Sequence, residues 1–148
     1  MHLHRIGTRA AAVAAAAATT VGLAGTAAQA TPPGPGVTGT IVWQKTVGPN
    51  DLILRDITIP PHQATGWHYH DGTLYGRVKQ GTLSHFASTC RPDGTYHAGQ
   101  FLTEPAGPGN VHIGRNLGDT PVVLEVLYVL PTGSPLAEDA PNPGCDFQ

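Results

Sequence analysis

Charge is scarce in this chain. Only 12% of its 148 residues are Asp, Glu, Lys or Arg, with eight basic and ten acidic side chains. Two of the basic residues, Arg5 and Arg9, lie in the first ten positions, leaving six against ten acidic residues and a formal charge near −4 for the remainder. That balance argues against nucleic acid or anionic membrane as a partner, since both are held by clustered positive charge. Beyond the first thirty residues no apolar run reaches the roughly 20 residues that span a bilayer. There is no G-x-S-x-G elbow, no plausible Cys-His pair and no phosphate-cradling glycine loop, so serine or cysteine hydrolysis and nucleotide chemistry have no support. No internal repeat is present.

Cysteine is limited to Cys90 and Cys145. They stand far apart and form no C-x-x-C, which argues against a redox-active pair. In an exported protein two cysteines usually pair. The bond would close about 55 residues, and chain entropy would put its stabilisation near ~4 kcal/mol. Two free thiols are the alternative.

The N-terminus supplies the case for export. Arg5 and Arg9 form a positive region, Ala10 to Ala18 is almost pure alanine, and Ala28-Gln29-Ala30 is a small-x-small cleavage site. This is the layout of a secretory signal peptide; an alanine-rich membrane helix or a disordered leader is the alternative. No cysteine follows the site to carry a lipid, and the two arginines are not adjacent. The expectation is a secreted, extracytoplasmic chain that starts at Thr31 and has no membrane association after cleavage.

Helical periodicity is also missing. Past residue 36 the chain reads as short β-rich runs broken by Gly, Pro, Asn and Asp. The runs are Val37 to Val47, Leu52 to Ile59, Thr65 to His70, Thr73 to Lys79, Thr82 to Ser88, Gln100 to Glu104, Val111 to Arg115 and Pro121 to Leu130. The last is apolar almost throughout and is expected to be a central strand buried on both faces. Strands at this spacing predict an all-β closed or double-sheet antiparallel domain. Residues 1–30 are assigned to the signal peptide, 31–36 to a flexible or extended lead-in and 37–130 to the barrel. Residues 131–148 form a surface tail held by the disulfide.

Chemistry concentrates in Trp67-His68-Tyr69-His70, taken with His112 and Asn116. Side chains of a strand alternate, so His68 and His70 share a face while Trp67 and Tyr69 take the other. A third imidazole from a distant strand, His112, completes a three-histidine set. Neutral imidazole suits Fe, Mn, Zn, Ni and Cu alike, and three protein ligands leave positions open for a small molecule. A hydrogen-bonded polar cluster without metal is the alternative.

These residues resemble the cupin family of β-barrels. Its first motif is a glycine, five residues, H-x-H, three or four residues, a glutamate, six residues and a glycine; His68, His70 and Gly81 fit it. The second is a glycine, five residues, P-x-G, two residues, a histidine, three residues and an asparagine. Gly99, Pro105, Gly107, His112 and Asn116 follow it with a gap of four residues before the histidine. The opening glycine of the first motif is His62 here, and its glutamate position falls on Leu74 or, at the longer spacing, Tyr75. The usual fourth ligand is therefore missing.

The resemblance implies a cupin-type double-stranded β-helix, or jelly-roll barrel, holding one divalent transition metal (Fe, Mn, Zn, Ni or Cu). It also implies dioxygenase or isomerase chemistry on a small molecule. The metal ligands would be His68, His70 and His112. Glu104, at a position that is commonly apolar and inward-facing in the family, and Tyr75 would steer protons. A Glu104 turned to solvent is the alternative. His62, His85 and His97 have no metal spacing and are expected at the surface or in turns. Arg115 beside Asn116 is expected to be a strand-edge charge, with an anion contact as the alternative. Catalysis is not decided: a non-catalytic extracellular module that binds a small molecule or a metal remains the second reading, and a homodimer is left open.

Overall fold

The computed structural model describes residues 31–148; the signal-peptide assignment lies outside the described residues. Among the described residues ten strands follow in order: β1 (Thr38–Val47), β2 (Asn50–Ile59), β3 (His68–Tyr69), β4 (Thr73–Gln80) and β5 (Thr82–Ala87). After them come β6 (Pro92–His97), β7 (Phe101–Glu104), β8 (His112–Arg115), β9 (Val122–Pro131) and β10 (Glu138–Asp139), with one short 3-10 turn at Pro108–Asn110. They form two five-stranded antiparallel sheets, β1-β2-β9-β4-β7 and β10-β3-β8-β5-β6. The all-β jelly-roll expectation holds.

β9 organises the first sheet. It pairs along its whole length with β2, from Asn50↔Pro131 to Ile59↔Val122, and on its other edge with β4. Its alternate residues Val122, Leu124, Val126, Tyr128 and Leu130 are buried. They pack with Ile59, Leu74, Val78, Leu83 and Leu102 into the main core. The intervening Val123, Glu125, Leu127 and Val129 are only half-buried. β9 is thus central but buried on one face, because only one side of this sheet meets the other sheet. Each such inward aliphatic side chain contributes roughly 1.5–3 kcal/mol on burial.

A smaller core of Ala64, Trp67, Ile113 and Ala140 lies behind the histidine strand, backed by Phe86, Cys145 and Phe147. The terminal segments complete it. The Thr31 hydroxyl accepts from the Trp67 N–H at 2.6 Å, the Thr31 N–H donates to the Ala140 carbonyl, and Gly34 N–H donates to Ala64. The 31–36 segment is therefore extended and hydrogen-bonded onto the barrel. The tail does more than cross the surface: β10 adds to β3 through Glu138↔Tyr69 and Asp139↔His68, and Phe147 stacks on Trp67. Cys90 and Cys145 form a disulfide with Cα atoms 5.4 Å apart.

The motif glycines have backbone reasons. Gly81 turns β4 into β5 at φ 78°, and a Cβ there would stand 2.7 Å from the Pro121 carbonyl oxygen. His62, where the family pattern has glycine, also adopts a positive φ of 60°. The turn has kept its shape and lost the residue that adopts it without steric cost. Asn116 is buried and closes a loop, its amide donating to the Ile59 and Thr120 carbonyls while its oxygen accepts from Gly118 N–H.

Candidate metal centre

His68 in β3, His70 just after it and His112 in β8 are brought together as expected. His68 lies directly opposite His112 in the strand register, with ring centroids 4.4 Å apart. One ligand atom from each of His68, His70, His112 and Glu104 lies within 4.8 Å of every other.

The fourth member occupies an informative place. Glu104 ends β7 exactly across the ladder from Leu74, the residue at the usual glutamate position. Directly paired residues on one face have Cβ atoms about 4.5–5.5 Å apart. The carboxylate has thus moved to the neighbouring strand, and Leu74 packs into the core instead. Glu104 Oε2 stands 3.2 Å from His70 Nε2 and 3.4 Å from His112 Nε2.

Backbone carbonyls fix the imidazoles. His68 Nδ1 lies 2.9 Å from Gly66 O, His70 Nδ1 2.7 Å from Leu136 O and His112 Nδ1 2.7 Å from Asn110 O. A carbonyl only accepts, so each Nδ1 carries the proton. In the neutral ring each Nε2 then presents a bare lone pair. The Nε2 atoms of His70 and His112 are buried and make no hydrogen bond. Three lone-pair nitrogens around a buried carboxylate make a donor set short of positive charge, and a divalent transition metal fits it. Burial pushes His68 down to about 3, and the neighbouring His112 and His70 add to the effect. It therefore stays neutral, as a ligand must. Burial pushes the Glu104 carboxyl up, but the His112, His70 and His85 rings that face it in the metal-free site outweigh burial and hold the group well below the usual carboxylate range.

His85 corrects the sequence reading. It is buried, its Nδ1 lies 2.5 Å from Asp93 Oδ1, and its Nε2 lies 3.5 Å from Glu104 Oε1. Its ring stacks on His112 with centroids 4.8 Å apart. Burial lowers its pKa, but Glu104 and Asp93 on either side outweigh this and raise it. His85 is the outer support of Glu104. The alternation Leu83-x-His85 with a buried Leu83 was the available signal. Tyr75 is the second correction. It is 52% exposed and faces away from the histidines, because Leu74, Gly76 and Val78 take the inward parity of β4. It cannot steer protons at this site. His62 is exposed beside Asp119 and His97 beside Thr82, as expected. Arg115 lies over the Phe147 ring, 4.3 Å from its centroid.

Two cavities flank the cluster. One of ≈ 150 Å³ is lined by Arg55, Ile57, Thr65, His68, His70 and Tyr128, with an inner extension of ≈ 40 Å³ that reaches Glu104. The other, ≈ 200 Å³, is lined by His85, Asp93, Tyr96, Glu104 and His112. A larger hollow of ≈ 370 Å³ beside Gln44, Lys45 and Asp51 holds none of these groups.

The fold and its inward histidines define a cupin-type double-stranded β-helix with a candidate metal centre. Solved structures of that fold are similar to it. A conserved protein with a double-stranded β-helix domain from Klebsiella pneumoniae matches at 23% identity and TM-score 0.57, over 73% of this chain and 88% of that one. The polyketide cyclase RemF from Streptomyces resistomycificus matches at 16% identity and TM-score 0.59, over 76% and 78%. A cupin superfamily protein from Desulfitobacterium hafniense matches at 9% identity and TM-score 0.54, over 65% and 79%. No protein-family model and no curated protein matches the sequence.

Proposed function

We propose that this protein is an exported, metal-dependent barrel enzyme acting on a small molecule, with His68, His70, His112 and Glu104 as the metal's donors. One observation carries the reading: three histidines whose Nδ1 atoms are fixed by backbone carbonyls turn their Nε2 atoms toward one largely buried carboxylate. A bound divalent ion supplies Lewis acidity toward an oxygen or nitrogen of the substrate. The chain's own residues do the rest. Ile57, Leu124 and Val126 line the inner cavity and exclude water. Glu104 is placed to accept or return a proton at its carboxylate, while His85 holds its outer oxygen. A similar barrel serves a polyketide cyclase, and fold alone does not select the reaction. Dioxygenation and isomerisation are the two reaction classes the family resemblance offers. Export is supported by the signal-like N-terminus and the Cys90–Cys145 disulfide.

Elemental analysis of secreted, untagged protein tests the reading. About one transition-metal ion per chain is expected, and a chain that neither carries nor takes up metal would overturn it. Oxygen uptake by the iron-loaded protein with candidate substrates then separates dioxygenation from isomerisation. A barrel that holds metal but turns nothing over is the non-catalytic binder, which Leu74 at the glutamate position favours.

A further inference from the structure

Arg55 is a charge on the inner face of the barrel that the metal centre does not use. In β2 it shares parity with Ile53, Ile57 and Ile59, all of which pack on the core. The register agrees, since Arg55 lies opposite Val126, a buried residue of β9. Its side chain lies tightly over Gly39 of β1. A Cβ at Gly39 would fall 2.1 Å from Nη2 and 2.3 Å from Nε, so glycine alone leaves the guanidinium its place. Nε is buried and makes no hydrogen bond. Among the described residues the ion pairs run through His62, His70, Lys79, His85 and His112, and none reaches Arg55. The guanidinium reaches the neutral Tyr128 hydroxyl but no carboxylate; it does not deprotonate in proteins, and a half-buried cation without an anionic partner is unfavourable. Something anionic is missing from the account.

The cavity beside Arg55 indicates where it sits. The ≈ 150 Å³ space is shared with His68 and His70, and its remaining wall is largely neutral, with Ile57, Thr65 and Tyr128. Asp139 stands exposed at the rim, unpaired with the arginine. One guanidinium in such a wall suits a single negative charge; a phosphate dianion would leave a charge unmatched and face Asp139. The planar fork of Arg55 matches the two oxygens of a carboxylate. We propose that Arg55 anchors the carboxylate of a small organic acid, whose remainder points toward His68 and His70. This names the substrate class of the metal centre and rests on that reading for what the rest of the ligand meets.

Calorimetric titration with benzoate, and with benzyl alcohol as the uncharged control, tests it on metal-free and zinc-loaded protein. Benzoate should bind the zinc-loaded wild type at least about tenfold more tightly than benzyl alcohol does. Arg55→Met keeps length and apolar fit. It should weaken benzoate about 10- to 100-fold, as loss of a charged hydrogen bond does, with zinc content unchanged. Arg55→Lys should fall between and guards against misfolding of the first variant. Equal benzoate affinity in wild type and Arg55→Met overturns the proposal, as does a zinc-loaded wild type that ignores benzoate. A wild type that takes up neither zinc nor iron, manganese, nickel or copper overturns the metal reading instead, and the metal-free titrations of wild type against Arg55→Met still decide the role of Arg55.

Discussion

In the sheet β1-β2-β9-β4-β7 three strands run ten residues each, and the inner face is a nearly continuous apolar ladder. In the sheet β10-β3-β8-β5-β6 no strand exceeds six residues, and with the turn after β3 it carries every imidazole of the cluster. The charged groups come from the opposite side: Glu104 ends β7 and Arg55 lies in β2. The imidazoles of the cluster thus sit on one sheet, and Glu104 and Arg55 on the other. The centre is complete only when the sheets are closed on each other. An ion held by both joins them, so its binding free energy adds to folding free energy.

The strongest way to break this contrast is to remove a nitrogen donor from the short-stranded sheet. His112→Ala should reduce metal affinity by more than the 10- to 100-fold that loss of an outer partner costs. Equilibrium dialysis with elemental analysis reads it, and wild-type metal content would remove His112 from the site. Glu104→Gln comes next and tests the other sheet: it keeps shape, removes charge and should weaken metal about 10- to 100-fold. If it has no effect, the two-sided picture fails. His85→Gln removes the support of Glu104 without touching a nitrogen donor. It should lower metal affinity by about tenfold or less, near the lower end of such outer-partner effects.

A pH titration of the metal-free protein sharpens the comparison further. His68 is pushed down to about 3 in the fold, against roughly 6.5 in the unfolded chain. As pH falls below about 6.5 the unfolded chain takes up this proton and the folded one does not. The stability due to neutral His68 is therefore complete above that pH and declines toward pH 3. Glu104, shifted downward, adds its own dependence only at lower pH, and the raised His85 adds its own only at higher pH. Urea denaturation between about pH 6.5 and 4.5 should show stability falling by up to ~1.4 kcal/mol per pH unit. His68→Gln should flatten the slope, and an unchanged slope would refute its assignment to His68. The smallest effect belongs to a turn outside the cluster. His62→Gly should raise stability by about 0.5 kcal/mol, because relief of the positive φ exceeds the added unfolded-state entropy and the lost exposed contact with Asp119. Thermal denaturation that shows a loss instead would mean that contact matters more than the backbone.

The legible parts of the sequence were those with a single parity. H-x-H on a strand fixes which way both rings point, and a carboxylate before Pro105 stood out because burying it demands a partner. The strand of Arg55 gave no such clue. Leu52 and Leu54 on one parity and Ile53 and Ile57 on the other are all apolar, so alternation could not say which face was inside. Tyr75 was misplaced because two motif spacings were open, and only the inward packing of Leu74 chooses between them. The tail was undervalued because β10 has two residues, too few to show alternation, and what the segment before it adds to the histidine cluster is a single backbone carbonyl.

That carbonyl, on Leu136, holds the proton on His70 Nδ1. It belongs to the segment that Cys145 ties to Cys90 in the turn between β5 and β6. If the centre holds its metal as proposed, thiol oxidation and metal occupancy would be linked equilibria, and such linkage is reciprocal. Whatever factor of metal affinity is lost when the disulfide is reduced, the same factor of resistance to reduction is gained when metal is bound. Outside the cell the ion would act as guardian of the bond that helps to hold it. A chelated sample should lose its disulfide to dithiothreitol at a lower concentration than a loaded one.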